Sequence, residues 1–214
     1  DQWVQIIYFM SLLSMIVGAF AAIVQDNIKR LLAYSSIGNM GYALIGVVAG
    51  TAVGAGSVVL YLLIYMMTTM GVFAVVLSMR RQGMVANKIK DLSGLSKTSP
   101  TLAYALFLLM FSMSGIPPLA GFFGKLTIFN AAVAEGYYIL ATLGVLTSVV
   151  AAFYYLRIVK VMFFDEPADG FDADIPLARW VVLFVSIIFV IGFAFKPAPF
   201  ITSSFSAAAA LFSG

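Results

Sequence analysis

The chain has 214 residues, of which 63% are hydrophobic and 10% are charged, and its net charge is +3. A soluble domain is roughly one quarter charged, so this composition excludes a water-soluble globular protein and indicates a polytopic membrane protein. The sequence contains no cysteine and no histidine, which excludes thiolate-held iron–sulfur clusters, histidine-ligated haem and most transition-metal sites within the chain. We therefore expect no cofactor and no metal in this chain, and no nucleic acid as a partner.

Six hydrophobic stretches follow one another, each long enough to cross a hydrocarbon core of about 30 Å. They cover residues 3–24, 28–49, 53–79, 100–134, 137–164 and 177–195. The fourth is too long for one ordinary span and is interrupted by Gly115-Ile116-Pro117-Pro118, where two prolines remove backbone donors. The sequence thus predicts an all-α, polytopic membrane helical bundle of about six transmembrane helices, one of them broken.

We divide the chain into two parts. Residues 1–164 form a transmembrane repeat of five spans with the helix break at 115–118. Residues 165–214 contain an acidic loop, the last transmembrane helix and a short tail rich in alanine and serine. Because the chain starts at Asp1 and enters a hydrophobic run at once, we expect it to be the C-terminal part of a longer subunit.

The basic residues predict the orientation of the bundle. Lysine and arginine cluster around the loops at 25–30, 80–99 and 157–179, whereas the loops at 50–52 and 135–136 carry no base. Cytoplasmic loops hold the excess of basic residues in membrane proteins. We therefore place these three basic loops in the cytoplasm and both chain ends on the outer side.

Lys125 is the strongest candidate for a functional residue. It lies about ten residues before Glu135, which corresponds to a depth of about 15 Å at 1.5 Å per residue. A lysine this deep is costly and is usually functional or paired. Discontinuous helices with a charge near the midplane form ion sites in many transporters. The alternatives are a lysine that only pairs with an acid from elsewhere, and a break that is only a proline kink.

Polar residues form stripes on two neighbouring spans. Ser57, Tyr61, Tyr65 and Thr68 recur at helical spacing in the third span, and the second span carries Ser35, Asn39 and Tyr42. Such stripes either line a hydrated path or form hydrogen bonds between helices. Lys29, at the start of the second span, either marks the cytoplasmic side or serves the mouth of such a path.

Two segments resemble a known family. Residues 25–42, QDNIKRLLAYSSIGNMGY, resemble the tenth helix of the antiporter-like subunits of bacterial respiratory complex I, the NADH–quinone oxidoreductase. Residues 114–125, SGIPPLAGFFGK, resemble their broken twelfth helix. The resemblance covers essentially the whole chain and implies helices nine to fourteen, with the second inverted repeat of the antiporter-like fold plus a final helix. Lysine at 125, threonine at 68 and the lack of a long lateral helix favour one of these subunits over its siblings.

The resemblance also implies roles and partners. Lys125 would be the central proton-transfer lysine and Lys29 an auxiliary one, with Tyr61, Tyr65 and Thr68 along a hydrated path. The chain would be a multi-pass protein of the bacterial inner membrane, surrounded by lipids and by other membrane subunits of complex I. NADH, flavin, iron–sulfur clusters and quinone would be bound by partner subunits, whose redox chemistry drives proton movement from the cytoplasm outward. The alternatives are a subunit of a multisubunit sodium/proton antiporter and a non-conducting membrane scaffold.

Overall fold

The computed structural model of this chain describes residues 2–172 and 174–212. The helices in this part of the chain are α1 (Gln2–Ile23), α2 (Ile28–Val48), α3 (Ala52–Val76), α4 (Leu95–Thr98), α5 (Pro100–Ser114), α6 (Ala120–Ala134), α7 (Tyr138–Phe164), α8 (Leu177–Phe195) and α9 (Ala198–Ala209). Two short strands, β1 (Arg80–Arg81) and β2 (Met84–Val85), and a 3-10 helix (Ile89–Leu92) lie between α3 and α4.

The prediction of an all-α membrane bundle is confirmed. Helices α1, α2, α3, α7 and α8 are each long and apolar enough to cross a membrane. The fourth hydrophobic stretch forms two shorter apolar helices, α5 and α6, which follow each other and are separated by residues 115–119. Together they account for the fourth predicted span, so the predicted break is present.

The short turns between the long helices follow from their capping residues. The Asn27 side chain accepts hydrogen bonds from the backbone N–H groups of Lys29 and Arg30, at 3.0 and 3.1 Å, and so begins α2. Thr51 caps α3 in the same way, through a 3.1 Å bond from the Gly54 N–H. Because these caps satisfy backbone donors locally, the chain reverses direction within a few residues at either end of α2.

Helix α3 is the central element of the bundle. It packs against α2, α5 and α6, and both α8 and α9 lie along it. On the α2 side the contact is close because Gly46 and Gly54 face each other: a Cβ added to Gly54 would lie 2.4 Å from the Gly46 carbonyl oxygen. This packing brings polar side chains of α2 and α3 next to α6.

The loops at 25–27, 80–99 and 165–176, which we call the basic end, are joined by polar contacts. Strands β1 and β2 form a hairpin whose turn residues, Gln82 and Gly83, both have positive φ, as a type I′ turn requires. The Asp172 carboxylate accepts hydrogen bonds from both turn N–H groups, at 2.9 and 3.0 Å. One residue of the acidic loop, Asp172, therefore stabilises the turn of the hairpin.

Two arginines attach helix ends at the same side. The Arg157 guanidinium donates to the carbonyl oxygens of Ile23, at 2.9 Å, and of Gln25, which end α1. Arg179 donates to the Leu77 carbonyl oxygen at 2.9 Å, where α3 ends. These cations bind the carbonyls that a helix terminus leaves unsatisfied, so they fix α7 to α1 and α8 to α3.

The short tail expected after the last span is largely helical. Residues 198–209 form helix α9, which packs on α3 with the Phe205 ring against Gly56. Proline is compatible with the first turn of a helix, where its missing N–H is not needed, so Pro199 is accommodated as the second residue of α9.

Candidate functional site

Lys125 lies in the second turn of α6, directly beside the helix break. Helix α5 ends because Gly115 adopts a left-handed conformation, with φ of 80°, and because Pro117 and Pro118 follow it. Side chains on a helix lean toward its N-terminus, so the lysine side chain points back to the end of α5. It is 6% exposed. The break thus creates the site that holds the ammonium group.

Three oxygen atoms accept hydrogen bonds from the Lys125 Nζ. The carbonyl oxygens of Met113 and Ser114 lie 3.1 and 3.2 Å away, and the Ser148 Oγ of α7 lies 2.8 Å away. Both carbonyls belong to the last turn of α5, where no intrahelical N–H is available and the helix dipole is negative. An ammonium group has three N–H donors, so this arrangement satisfies all of them.

The charge of Lys125 is stabilised by dipoles rather than by a carboxylate. Among residues 2–172 and 174–212, the ion pairs are Arg81–Asp91 and Lys160–Asp165, both at the basic end. The Tyr42 ring contributes a cation–π contact, with its centroid 5.4 Å from the Lys125 Nζ. In the same part of the chain, no group of three acidic side chains comes together as a metal ion would require.

A small cavity lies between α2, α3, α5 and α6, next to Lys125. Its volume is about 20 Å³, enough for one water molecule. Its polar lining consists of Asn39, Tyr61, Tyr65, Thr68, Ser112 and Lys125. The structure therefore brings all three path residues predicted on the third span to the same cavity as the lysine.

A hydrogen-bond network extends from this cavity. The Tyr61 hydroxyl donates to the Asn39 Oδ1 at 2.6 Å, and Asn39 donates to the Tyr155 hydroxyl of α7 at 3.3 Å. Tyr155 is also hydrogen-bonded to Ser35, one turn closer to the basic end. A parallel bond of 2.7 Å joins the Tyr65 hydroxyl to Ser36. Together these side chains form a row of hydrogen-bonded protic groups that extends from the centre of the bundle toward the basic end.

Two of the predicted site residues, Thr68 and Lys29, take no part in this network. The Thr68 hydroxyl donates to the Ile64 carbonyl oxygen of its own helix, at 2.7 Å, while the residue lines the cavity. Lys29 lies in the first turn of α2, about ten residues from Asn39, which is about 15 Å along the helix. The structure therefore does not bring Lys29 into the cavity, and its auxiliary role remains a prediction.

Sequence reasoning missed two residues of α7 that take part in the site. Ser148 binds Lys125 directly, and Tyr155 joins the network on α2. The two positions are seven residues apart, so they share one helix face. Protic side chains at this spacing inside an apolar span were the available signal, but spacing alone did not show that Ser148 contacts Lys125.

A second space borders Lys125 on its other side. It is an open depression of about 360 Å³ on the flank of the bundle between α6 and α7. Apolar residues form most of its lining, and its polar side chains are those of Ser114, Lys125 and Ser148. Lys125 therefore lies between a small cavity lined partly by protic side chains and a larger depression on the flank of the bundle.

Comparison with known proteins identifies the family. Residues 1–151 match the family described as NADH:quinone oxidoreductase/Mrp antiporter, transmembrane. The chain is 52% identical to NADH-quinone oxidoreductase subunit N of Paramagnetospirillum magneticum over 212 residues, which are 99% of this chain and 44% of the relative. It is equally similar to the subunit N of Rhodospirillum rubrum, at 52% identity over 99% of this chain and 43% of that protein. The chain thus spans less than half the length of these curated relatives.

Solved structures show the same fold. A chain of respiratory complex I from Thermus thermophilus with bound aureothin is 33% identical, with a TM-score of 0.80 over 92% of this chain and 45% of that chain. A chain of the Mrp complex from Dietzia has a TM-score of 0.87 over 99% of this chain and 48% of that chain, at 24% identity, which shows the fold alone. The family match, the broken helix and the similarity over nearly the full chain agree, and the chain belongs to the NADH:quinone oxidoreductase/Mrp antiporter transmembrane family.

Proposed function

We propose that this chain is the C-terminal part of subunit N of a bacterial NADH–quinone oxidoreductase, where it moves protons from the cytoplasm to the outer side through Lys125. The observation that carries the proposal is an ammonium group held by carbonyl and hydroxyl oxygens at a helix break, between two spaces. The relatives that match nearly the whole chain are named as this subunit.

In this proposal the driving redox chemistry belongs to other subunits. The chain has no cysteine or histidine, so its side chains do not fit an iron–sulfur cluster or a haem, and no step passes through such a group here. NADH, flavin, iron–sulfur clusters and quinone are bound by partner subunits. The partners of this chain are the other membrane subunits and the lipids of the bacterial inner membrane.

The path to Lys125 starts at the basic end, which is the cytoplasmic side in this proposal. Tyr65 and Thr68 border the cavity, and Tyr61 connects it to the Asn39–Tyr155 bonds. A water molecule in the cavity would bring a proton within reach of the lysine amine, because hydroxyl groups and water both accept and donate protons in hydrogen bonds. Lys29 is placed at the entrance of this path as an auxiliary cation.

Two other functions fit the fold. A subunit of a sodium/proton antiporter is suggested by the Mrp likeness, which shows the fold alone. A non-conducting scaffold would use Lys125 only as a structural cation that ties α5 to α6. A scaffold does not explain why the lysine lies between a cavity lined by protic side chains and a second space. The names of the relatives that match nearly the whole chain favour complex I over the antiporter.

The test is the complete complex in proteoliposomes with substitutions at Lys125. We expect Lys125→Ala to abolish proton pumping, and Lys125→Arg to reduce it by at least about tenfold, because a guanidinium holds its proton. Electron transfer from NADH should slow with it where the two are tightly coupled. Lys160→Ala, which removes an exposed ammonium group at the basic end, is the matched control and should pump normally.

The outcomes separate the hypotheses. If Lys125→Arg pumps normally and Lys125→Ala does not, the lysine supplies only a fixed positive charge. Normal pumping by fully assembled Lys125→Ala complex, verified on native gels, would contradict the proposed function. Sodium-dependent proton movement without NADH oxidation would favour the antiporter.

A further inference from the structure

The three acceptors around Lys125 are not chemically equivalent. Two of them are the carbonyl oxygens of Met113 and Ser114, which accept hydrogen bonds but do not carry a proton onward. The third is the hydroxyl of Ser148, which accepts one proton and donates another. Of the three bonds, therefore, only the one to Ser148 leads to a group that can take the proton from the ammonium and release its own.

Ser148 also has the right surroundings. It is half-buried, with its hydroxyl against Lys125 on one side, and it lines the open depression between α6 and α7 on the other. The neighbouring Thr147 hydroxyl does not compete for the lysine, because it donates to the carbonyl oxygens of Leu143 and Gly144 within α7. Ser148 is thus the hydroxyl that connects the lysine to the depression.

We propose that Ser148 is a proton relay through which Lys125 releases its proton into the depression between α6 and α7. The inference rests on the proposed role of Lys125 and specifies its exit. One Nζ–H proton moves to the Ser148 Oγ as the hydroxyl proton of Ser148 passes to a water molecule in the depression. The products are a neutral amine, an intact serine hydroxyl and a hydronium ion, so protons and charge balance.

The return step uses the same hydroxyl. A neutral amine has one lone pair, and neither carbonyl can donate to it. Rotation of the Ser148 hydroxyl lets it donate to the amine until a proton arrives from the cavity on the other side. Ser148 therefore stabilises both protonation states of Lys125, which a carbonyl cannot do.

Two other protic groups are nearby. The Ser114 hydroxyl lines the same depression but donates to the Met110 carbonyl oxygen of its own helix, at 2.8 Å. The second is Tyr42. Its hydroxyl donates to Thr147 at 3.3 Å, and its ring faces the Lys125 ammonium. Tyr42 is not part of the lining of the depression. Tyr42→Phe keeps the ring and removes the hydroxyl, so it tests the competing exit through Tyr42.

The experiment compares Ser148→Ala, Ser148→Thr and Tyr42→Phe in the complete complex in proteoliposomes, alongside Lys125→Ala. We expect Ser148→Ala to lower the proton-pumping rate by about a hundredfold or more, because a positioned proton-transfer group contributes roughly 10²–10⁴-fold. Ser148→Thr keeps a hydroxyl and should retain more than about half of the rate, as should the control Ser203→Ala, which removes an exposed hydroxyl on α9. Tyr42→Phe should lose less of the rate than Ser148→Ala. Alanine is favoured within helices, so Ser148→Ala should assemble normally.

Each result decides a separate point. Normal pumping by Ser148→Ala together with failure of Lys125→Ala would overturn the relay and leave the role of the lysine intact. Normal pumping by Lys125→Ala would instead overturn the proposed function. Equal loss in Ser148→Thr and Ser148→Ala, with assembly confirmed, would show that the size of the side chain matters and not the hydroxyl, which also overturns the relay. A larger loss in Tyr42→Phe than in Ser148→Ala would assign the exit to Tyr42.

Discussion

The hydroxyl of Tyr61 joins α3 to α2 through one short bond, 2.6 Å to the Asn39 Oδ1. Tyr61→Phe removes this donor and leaves a buried amide oxygen unsatisfied, which costs about 1–3 kcal/mol. We expect slower proton pumping and a lower melting temperature in assembled complex. Pumping in proteoliposomes and thermal unfolding of the purified complex measure the two effects.

Tyr104→Phe is the matched control for this change. Tyr104 is 62% exposed on α5, and its ring lies 5.4 Å from the ring of Phe163. The same loss of a hydroxyl there should change neither measurement. If the Tyr61 and Tyr104 variants behave alike, the Tyr61–Asn39 bond has no part in the path.

At the level of residues, spacing along one helix predicted more than contacts between helices. Tyr61, Tyr65 and Thr68 share a face of α3 by helical periodicity, and the structure places all three at the cavity beside Lys125. Ser148 could not be found in this way, because it is 23 residues from Lys125 in sequence and reaches it only through packing of α7 on α6. The positions of the acidic residues in the sequence indicated that no acid of this chain lies at the depth of Lys125. They did not reveal that carbonyl oxygens of α5 take the place of a carboxylate.

At the level of helices, the contact between α1 and α2 gives an asymmetric prediction. A Cβ added to Gly18 would lie 2.3 Å from the backbone nitrogen of Gly38, whereas one added to Gly38 would have its nearest neighbour at 3.7 Å. Gly18→Ala should therefore force the two helices apart and impair assembly. Gly38→Ala should be tolerated, because alanine gains about 1 kcal/mol over glycine in a helix.

Native gels and thermal unfolding of the complex check this pair. The Gly192→Ala variant controls for helix propensity, because no atom lies within 4 Å of a Cβ added to this position of α8. It should be as stable as the natural chain or more so. Equal effects of alanine at positions 18 and 38 would mean that the close approach of α1 and α2 is absent in the assembled protein.

The sequence predicted the membrane-spanning helices well, because the length of each hydrophobic stretch determines them. It predicted short segments poorly, because these fold by contact with distant parts of the chain. The break was predictable because glycine and two prolines interrupt an apolar stretch. Helix α9 was not, because its alanine- and serine-rich sequence of 12 residues is too short to cross a membrane and forms a helix against α3. The β1–β2 hairpin was missed for a similar reason, since Asp172 holds its turn from a distant loop.

At the level of the whole molecule, the orientation of the bundle is open to a direct test. The chain has no cysteine, so single cysteines can be introduced without removing any of its own. Cysteines at Lys90 and Asp169, both exposed at the basic end, should react with an impermeant maleimide only from the cytoplasmic side. A cysteine at Glu135, exposed at the opposite end, should react only from the outside.

Intact cells and inverted vesicles give the two sides of this test. Detergent-solubilised complex, in which all three positions should react, is the control for reactivity. Labelling of positions 90 and 135 from the same side would contradict the number of membrane crossings between them. We would then have to abandon α5 and α6 as the two halves of one crossing.

The oxygen atoms around Lys125 have a mechanical consequence for the molecule. Two of them are the terminal carbonyls of α5, and the ammonium that binds them belongs to α6. When the lysine loses its proton, it has one N–H donor fewer and no positive charge to attract the end of α5. The hydrogen bonds between the two half-helices therefore weaken. Arg157 and Arg179 clamp other helices at the basic end irrespective of this event, because arginine stays protonated. If Lys125 transfers protons as proposed, the joint between α5 and α6 is a part of the bundle whose stiffness changes with each transfer.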